Sequence, residues 1–342
     1  MAERPILRFH ENGRFRVLMV SDFHCGESYN PKLKAGLRAL IEATGPDFVM
    51  LGGDQCVYKN TPAEADRYMR DIVEPITEKG LPWAATFGNH DRDDGIDLDT
   101  EEAIYESIPG CLSSRGPQDI HGVSNFFIDV LAHDGDEPAY ELWSIDSNHE
   151  VDDYIDEFGL KKDTRIILPH HFNDGENGGS PYFDQVMWYY ETSRAMERAR
   201  GRKTPGVLFS HIPVPEIYQI IRNPEETGAI GSKRAPCGAT EINSGLFLAA
   251  LERQEIRGMF FGHEHHIDMQ GEYCGITLGC ACAIGYDMSA HDDLRGGRVI
   301  DLFEDGDMET YHVKLMDLLG KAAMRDPDYF EGGCRYHIRV LG

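Results

Sequence analysis

Short polar motifs follow short apolar runs along this chain, and this arrangement strongly constrains the fold. In chain order the motifs are Ser21-Asp22-Phe23-His24, Gly52-Gly53-Asp54-Gln55, Gly88-Asn89-His90-Asp91, Ser210-His211 and Gly262-His263-Glu264-His265. Short apolar runs of this kind are typical of buried strands. Ligand sites of α/β sheets lie outside the carboxyl ends of strands. The motifs are therefore predicted to meet at one place in the fold.

The early motifs carry side chains that suit metal ions. Imidazole and carboxylate are ligands that zinc, iron and manganese accept. Asp22 and His24 are two residues apart, so on an extended segment both would point to one side and could reach one ion. Asp54 has two carboxylate oxygens with several lone pairs, so it could bridge two ions.

The later motifs add neutral ligands. Asn89 offers an amide oxygen, and His211 and His263 offer imidazoles. His263 and His265 are again two residues apart, but in a loop that spacing does not require a shared ion. The whole set could hold two divalent ions about 3.5–4 Å apart, the spacing found in two-metal phosphoester hydrolases.

Predicted strands and helices alternate along the chain, which indicates an α/β fold. Strands are predicted at 15–20, 48–51, 83–87, 126–130, 142–145, 207–209, 259–261, 276–278, 299–303 and 310–315. Helices are predicted at 32–44, 63–79, 100–107, 185–200 and 244–255.

Composition narrows the class of partner. The chain of 342 residues has a formal net charge of −26, which disfavours nucleic acids and acidic membranes. No apolar run approaches the ~20 residues that span a bilayer, and the first residues lack the apolar core of a secretory signal. The 8 cysteines include no C-x-x-C pair, so we expect reduced thiols. A cytoplasmic protein acting on a small phosphorylated substrate is the expectation.

The five motifs resemble the calcineurin-like metallophosphoesterase superfamily, whose pattern is D-x-H, G-D-x-x, G-N-H-D/E, a lone H and G-H-x-H. Other stretches resemble its branch related to purple acid phosphatases: E-L-W-x-x-D-S at 141–147, D-Q-V-M-W-Y at 184–189, H-I-P-V-P-E at 211–216, N-S-G-L at 243–246 and R-G-G-R-V-I at 295–300. This resemblance implies two packed mixed β-sheets flanked by helices, an αββα sandwich. We expect one catalytic domain over 1–315, with a C-terminal helix and tail, 316–342, packed on it.

The resemblance also implies a role for each motif residue. It assigns the ligands to two ions that Asp54 bridges: Asp22, His24 and His265 for the first, and Asn89, His211 and His263 for the second. His90 would lie beside the substrate without binding a metal, and Asp91 would orient it.

One position departs from the branch pattern. Purple acid phosphatases carry a tyrosine three residues after the bridging aspartate, where this chain has Val57. Tyr58 comes one position later and would point to the other side of an extended segment. The sequence therefore leaves the metals open among zinc, manganese and iron, as a divalent or mixed-valence pair.

The activity that this resemblance implies is a phosphomonoesterase that uses a metal-bridging hydroxide for in-line attack. His90 would protonate the leaving alkoxide. The alternatives are a phosphodiesterase acting on a small diester or nucleotide, and a non-enzymatic scaffold stabilised by metals. The natural substrate and the oligomeric state stay open.

Two long loops supply candidate substrate contacts. His149, His170 and His171 belong to the polar stretch 149–181, which is either a solvated insertion or a lid over the metals. Lys233 and Arg234 belong to the loop 224–241 and could contact the phosphate or the leaving group.

Overall fold

The computed structural model describes residues 4–26, 30–93, 95–150, 153, 156–159, 178–239, 242–286 and 288–324. Two β-sheets pack face to face in this part of the chain, and helices cover their outer faces. The predicted sandwich of two mixed sheets flanked by helices is confirmed.

The smaller sheet has five strands in the order β12-β11-β2-β3-β4. Its strands are β2 (Arg14–Val20), β3 (Phe48–Leu51), β4 (Trp83–Ala85), β11 (Gly296–Phe303) and β12 (Met308–Lys314). β2, β3 and β4 are parallel, and β11 and β12 add antiparallel strands. The motif-bearing strands β2 to β4 therefore end at the same edge.

The larger sheet has seven strands in the order β1-β5-β6-β7-β8-β10-β9. Its strands are β1 (Leu7–Arg8), β5 (Phe126–Leu131), β6 (Pro138–Ser144), β7 (Gly206–Ser210), β8 (Ile256–Phe261), β9 (Gln270–Tyr273) and β10 (Ile276–Cys280). The neighbours β6, β7, β8 and β10 run parallel to one another. His211 and the segment from His263 therefore follow adjacent parallel strands.

The helices divide between the two sheets. In chain order they are α1 (Pro31–Thr44), α2 (Pro62–Thr77), α3 (Leu98–Ser107), α4 (Phe183–Arg200), α5 (Ile217–Arg222), α6 (Leu246–Arg253) and α7 (Leu315–Leu319), with short 3-10 turns at His90–Arg92 and Lys321–Ala323. Buried side chains of α1, α2 and α3 share a core with the smaller sheet. Those of α4, α5 and α6 share a second core with the larger sheet.

Alternate residues of the central strands face different cores. Val17 and Met19 of β2 pack between the sheets. Leu18 and Val20 pack against the helices. Because both faces of β2 are buried, its second half is a continuous apolar run, as is usual for parallel sheets that are covered on both sides.

The elements that the sequence did not predict are short or polar. β1 has two residues, and β9 has the sequence QGEY, which lacks an apolar run. The helix predicted at 244–255 is limited to Leu246–Arg253, because Gly245 and Gln254 adopt left-handed conformations at its two ends. Predicted strands otherwise overlap observed ones, with differences at their ends.

The C-terminal segment contacts α1. The side chain of Leu315 lies against Gly36, and Lys32 Nζ donates to the Met324 carbonyl oxygen at 2.7 Å. Residues 325–342, which form most of the predicted tail, lie outside the described residues. Among the helices that the structure describes, none is long and apolar enough to cross a lipid bilayer.

Candidate metal centre

The polar motifs meet where strands of the two sheets end. Asp22 follows β2, Asp54 follows β3 and Asn89 follows β4. His211 directly follows β7, and His263 follows β8. The fold therefore gathers at one edge residues that are far apart in the sequence. For example, the His263 backbone N–H contacts the carboxylate of Asp22, 241 positions away.

The segments after β2 and β3 continue side by side beyond the sheet. The backbone N–H of Asp22 donates to Gly53 at 3.0 Å, and that of His24 donates to Asp54 at 2.9 Å. Asp22 and His24 have φ values of 58° and 48°, so this segment is not extended. The sequence analysis placed Asp22 and His24 on one side because side chains alternate along an extended strand, and this reasoning was wrong. Their side chains come together because this segment pairs with the segment after β3.

Left-handed backbone recurs at the proposed ligands. The ligand residues with positive φ are Asp22, His24, Asp54 and His263. Such conformations cost of order 1–3 kcal/mol each for residues other than glycine, and they persist where the surroundings over-determine them. The strain is concentrated at the candidate site.

One half of the site surrounds Asp22. His265 Nε2 lies 3.2 Å from Asp22 Oδ1, and His24 Nε2 lies 3.4 Å from Asp54 Oδ2. Asp22, His24, Asp54 and His265 each offer one ligand atom, and these four atoms lie within 4.8 Å of one another. The structure thus groups the residues that the sequence assigned to the first ion with the proposed bridge.

The other half also reaches Asp54. His211 Nε2 is 3.2 Å from Asp54 Oδ2, and His263 Nδ1 is 3.1 Å from Asn89 Oδ1. The rings of His211 and His263 are 5.3 Å apart. Asp54 therefore lies close to residues of both sets that the sequence assigned to separate ions.

Backbone carbonyls fix the orientation of two imidazoles. His211 Nδ1 donates to the Gly52 carbonyl oxygen at 2.8 Å, and His265 Nδ1 donates to that of Ser289 at 3.0 Å. A carbonyl oxygen only accepts, so Nδ1 carries the proton and Nε2 faces the carboxylates. This is the usual arrangement of a metal-binding histidine.

Three buried polar atoms at the centre have no hydrogen-bond partner among the residues that the structure describes. These atoms are His24 Nε2, Asp54 Oδ2 and His211 Nε2. Leaving a buried polar atom unsatisfied costs about 1–3 kcal/mol. Cations would satisfy all three, so the residues present fit a metal centre.

The charges of the centre also suit cations. Burial opposes ionisation of Asp54, but His211 and His24 hold the pKa of its carboxyl well below the usual value. Burial likewise opposes protonation of His211, but Asp54 outweighs it and raises the pKa of His211 to about 10. Burial and the neighbouring His211 lower the pKa of His263 to about 3. His263 is therefore uncharged and can offer a nitrogen lone pair to a metal ion.

Glycines make room for the ligands. A Cβ on Gly88 would lie 2.1 Å from Asp54 Oδ1. Gly53, at φ 104°, would place a Cβ 2.2 Å from His211 Nδ1. Both distances are far below a normal van der Waals contact, so the motifs need glycine at these positions.

His90 contacts the centre through its backbone. Its N–H donates to Asp54 Oδ1 at 2.8 Å, and its ring lies 5.1 Å from that of His24. His90 Nδ1 is 2.5 Å from Asp93 Oδ2. The partner of the His90 ring is therefore Asp93, a carboxylate three residues away that the sequence argument missed.

The prediction that Asp91 orients His90 is wrong. The buried Asp91 carboxylate accepts backbone hydrogen bonds from Asp54, Gln55, Cys56 and Gly88, at 2.9 to 3.2 Å. These bonds use both carboxylate oxygens and join the loop after β3 to the loop after β4. Asp91 thus positions the bridge residue rather than the histidine.

A buried lysine supports Asp91. Lys59, which is fully buried, donates to the Asp91 carbonyl oxygen at 3.0 Å and lies 3.3 Å from Glu101 Oε2. Tyr105 donates to Glu101 Oε1 at 2.5 Å. Burial, only partly opposed by Lys59, raises the pKa of Glu101 to about 8.

The predicted substrate contacts have different outcomes. His149 Nε2 lies 3.1 Å from Asp93 Oδ1, which connects it to His90. Arg234 forms an ion pair with Asp293 at 2.6 Å, and Lys233 pairs through its backbone with Ile267, two residues after His265. His170 and His171 lie outside the described residues.

Tyr58 is not a ligand in this structure. Its side chain is 77% exposed, whereas the proposed ligand Asp54 is fully buried. Cys56 is buried in the segment after β3, and burial raises the pKa of its thiol above the ordinary value. Cys56 therefore packs as a neutral side chain, and oxygen and nitrogen donors make up the site.

We predict that Gly88→Ala weakens metal binding by about 10–100-fold, the usual cost of disturbing the support of a ligand. The added Cβ must displace the Asp54 carboxylate. Calorimetric titration of metal-stripped protein with zinc or manganese would measure this. Gly135→Ala is the matched control, because its Cβ would meet nothing closer than 4.0 Å. Equal affinity of Gly88→Ala and wild type would contradict the assignment of Asp54.

We predict that Glu101 makes stability fall as pH rises. Its folded pKa of about 8 lies above the ordinary value of 4.5. The stabilisation that Glu101 gives to the folded state is therefore complete below about pH 4.5 and is lost as pH rises towards 8. Urea unfolding from pH 5 to 8 should show wild type losing stability relative to Glu101→Gln, by up to about 1.4 kcal/mol per pH unit. Glu137→Gln, at an exposed position, is the control, and a pH-independent difference for Glu101→Gln would contradict the prediction.

Comparison with known proteins agrees with this geometry. A probable inactive purple acid phosphatase 14 of Arabidopsis thaliana is 27% identical over 315 residues, which cover 83% of this chain and 73% of that protein. Phosphatase DCR2 of Saccharomyces cerevisiae is 22% identical over 287 residues, covering 77% of this chain and 45% of that protein. The crystal structure of a dimetal phosphatase from Danio rerio superposes with a TM-score of 0.56 at 12% identity, covering 88% of this chain and 96% of that one, and shows a shared fold.

The model of the family described as calcineurin-like phosphoesterase matches residues 15–266, a span that contains all the proposed ligands. Its dinuclear metal centres agree with the two halves around Asp54. The similarity to the Arabidopsis protein agrees with the resemblance to purple acid phosphatases. The chain belongs to the calcineurin-like phosphoesterase family.

Proposed function

We propose that this chain is a phosphomonoesterase that depends on two metal ions bridged by Asp54. One observation carries the proposal. The buried Asp54 Oδ2 lies close to two imidazoles, His24 Nε2 at 3.4 Å and His211 Nε2 at 3.2 Å, and none of these three atoms has a hydrogen-bond partner among the described residues. An oxygen in this position can be shared between two cations.

The proposed ligand set keeps the assignment made from the sequence. Asp22, His24 and His265 would hold one ion, and Asn89, His211 and His263 the other. When bound, the ions would make a nucleophile available at neutral pH and neutralise charge on the phosphoryl oxygens. Nitrogen and oxygen donors suit zinc, manganese or iron.

Residues around the ions would perform the remaining tasks. Asp93 holds His90 through Nδ1, so Nε2 is the nitrogen we assign to protonation of the leaving oxygen. Asp91 holds the loops that carry Asp54 and His90. Ser147 Oγ accepts from the backbone N–H of Ile212 at 3.1 Å, which supports the segment after His211.

Charge favours a monoester. Two divalent ions and two ionised aspartates leave about two positive charges, or about one when a hydroxide is bound. In both cases the dianion of a monoester is attracted more strongly than the monoanion of a diester. The net charge of −26 supports a small substrate in preference to a nucleic acid.

The non-enzymatic alternative finds less support in the residues. A relative is named as a probable inactive phosphatase. In this chain every position of the proposed ligand set carries a metal-binding side chain, and His90 stands beside them. A scaffold would need neither His90 nor its contact with Asp93.

A phosphoester panel tests the proposal. Metal-stripped protein would be reconstituted with zinc, manganese or iron and assayed on 4-nitrophenyl phosphate, alkyl phosphates and bis(4-nitrophenyl) phosphate. We expect metal-dependent hydrolysis with a larger kcat/KM on monoesters. Preference for the diester would replace the proposal with phosphodiesterase activity, and inactivity with every metal would support the scaffold.

We predict that His90→Ala lowers kcat by about 10²–10⁴-fold on alkyl phosphates, since an alkoxide needs a proton in order to leave. The loss on 4-nitrophenyl phosphate should be smaller, because nitrophenolate leaves without one. Asp93→Asn should reproduce the pattern more weakly, and elemental analysis should find the metals retained in both variants. Equal losses on both esters would contradict the acid role, and loss of a metal would contradict the placement of His90.

A further inference from the structure

A cavity of about 520 Å³ lies beside the candidate centre. Segments from distant parts of the chain form its walls: Arg92, Ile96 to Asp99, His121 to Val123, Asn148, His149, Asp153 and Tyr182. The metal ligands are not among its lining residues. Its volume is sufficient for a substituent larger than phosphate.

The cavity connects with His90 through two side chains. His149 lines the cavity, and its Nε2 lies 3.1 Å from Asp93 Oδ1. Asp93 in turn contacts His90 Nδ1. Arg92, which also lines the cavity, is two residues after His90. The alcohol part of a substrate held at His90 therefore has this cavity as a neighbouring space.

The apolar part of the wall is buried. Ile96, Leu98 and Val123 are each less than a tenth exposed. Tyr182 stacks on His121 with ring centres 4.0 Å apart and an interplanar angle of 6°. These surfaces suit the carbon chain of a substituent.

The charged part of the wall is acidic. Asp97, Asp99 and Asp153 all line the cavity. Arg92 also lines it, but the guanidinium forms an ion pair with the fully buried Asp146. Two of these carboxylates have polar partners, since Asp97 accepts from the Thr100 backbone N–H at 2.8 Å and Asp153 Oδ2 lies 2.9 Å from His149 Nδ1. The lining residues still carry three carboxylates and one guanidinium, so an anionic substituent would be repelled.

His121 does not reverse this balance. Its Nδ1 lies 2.7 Å from Asp184 Oδ2 and its Nε2 lies 2.8 Å from Glu157 Oε1. A positive charge on the His121 ring would therefore be neutralised by Asp184 and Glu157. Arg115, at 2.5 Å from Asp99, offsets one of the three lining aspartates.

We propose that this cavity binds the leaving alcohol and selects phosphomonoesters whose alcohol carries a positive charge on a short carbon chain. The proposal rests on the phosphomonoesterase function above. The metal centre would take the phosphate dianion, and the acidic wall would take the cation at the other end. A small zwitterionic substrate matches both ends of the site.

The test compares esters that differ only in remote charge: 4-aminobutyl, pentyl and 4-carboxybutyl phosphate. Their leaving oxygens are alike, so differences in kcat/KM report the cavity. Exposed ion pairs contribute about two- to fivefold each, so we expect roughly tenfold preference for the amine over the carboxylate at low salt. The preference should shrink as salt screens the wall.

Variants test whether the aspartates that line the cavity cause the preference for the amine. Asp99→Asn with Asp153→Asn should reduce the amine-to-carboxylate ratio to about threefold or less, and Asp153→Lys should move the ratio further towards the carboxylate. The matched control is Asp134→Asn with Asp136→Asn, two exposed aspartates in the β5–β6 turn that line no part of the cavity. This control should keep the wild-type ratio.

The outcomes separate the two proposals. Equal kcat/KM on the three alkyl esters, or an unchanged ratio in the cavity variants, would overturn the assignment of the cavity while the phosphatase function stood. Failure to hydrolyse any ester, including 4-nitrophenyl phosphate, with every metal would overturn the function and this inference with it.

Discussion

The carboxylate of Asp54 is the interaction on which the arrangement of this site depends. One oxygen accepts the backbone N–H of His90, and the other lies 3.4 Å from His24 Nε2 and 3.2 Å from His211 Nε2. Asp91 fixes the same residue through its backbone N–H. A single side chain thus joins loops from both sheets, and a cation bound on each side would neutralise charges that otherwise face one another in a buried space.

The fold supplies this meeting point by ending parallel strands at one edge. β2 and β3 belong to the smaller sheet, β7 and β8 belong to the larger sheet, and the loops after all four carry proposed ligands. Close approach then requires small residues, as at Gly88, where a Cβ would lie only 2.1 Å from Asp54 Oδ1. The left-handed residues are held by hydrogen bonds between loops. The cost of this strain is local, whereas the three apolar cores stabilise the whole chain.

The sequence predicted the fold class and the meeting of the motifs because both follow from local patterns. β2 is apolar where both its faces are buried, and ligand residues follow directly after strands. It did not predict that Asp93 contacts His90, since a 3-10 turn at His90–Arg92 decides which carboxylate reaches the ring. It also could not predict the cavity, because Arg92, His121 and His149 come together only in the folded chain. Left-handed φ at Asp22 and His24 leaves no compositional signal.

Anomalous diffraction from crystals of manganese- or zinc-loaded protein tests the central claim most directly. Data at the metal absorption edge should show two peaks about 3.5–4 Å apart. The account predicts that Asp54 contacts both peaks, that Asp22, His24 and His265 surround one, and that Asn89, His211 and His263 surround the other. A single peak, or two peaks without Asp54 between them, would contradict it.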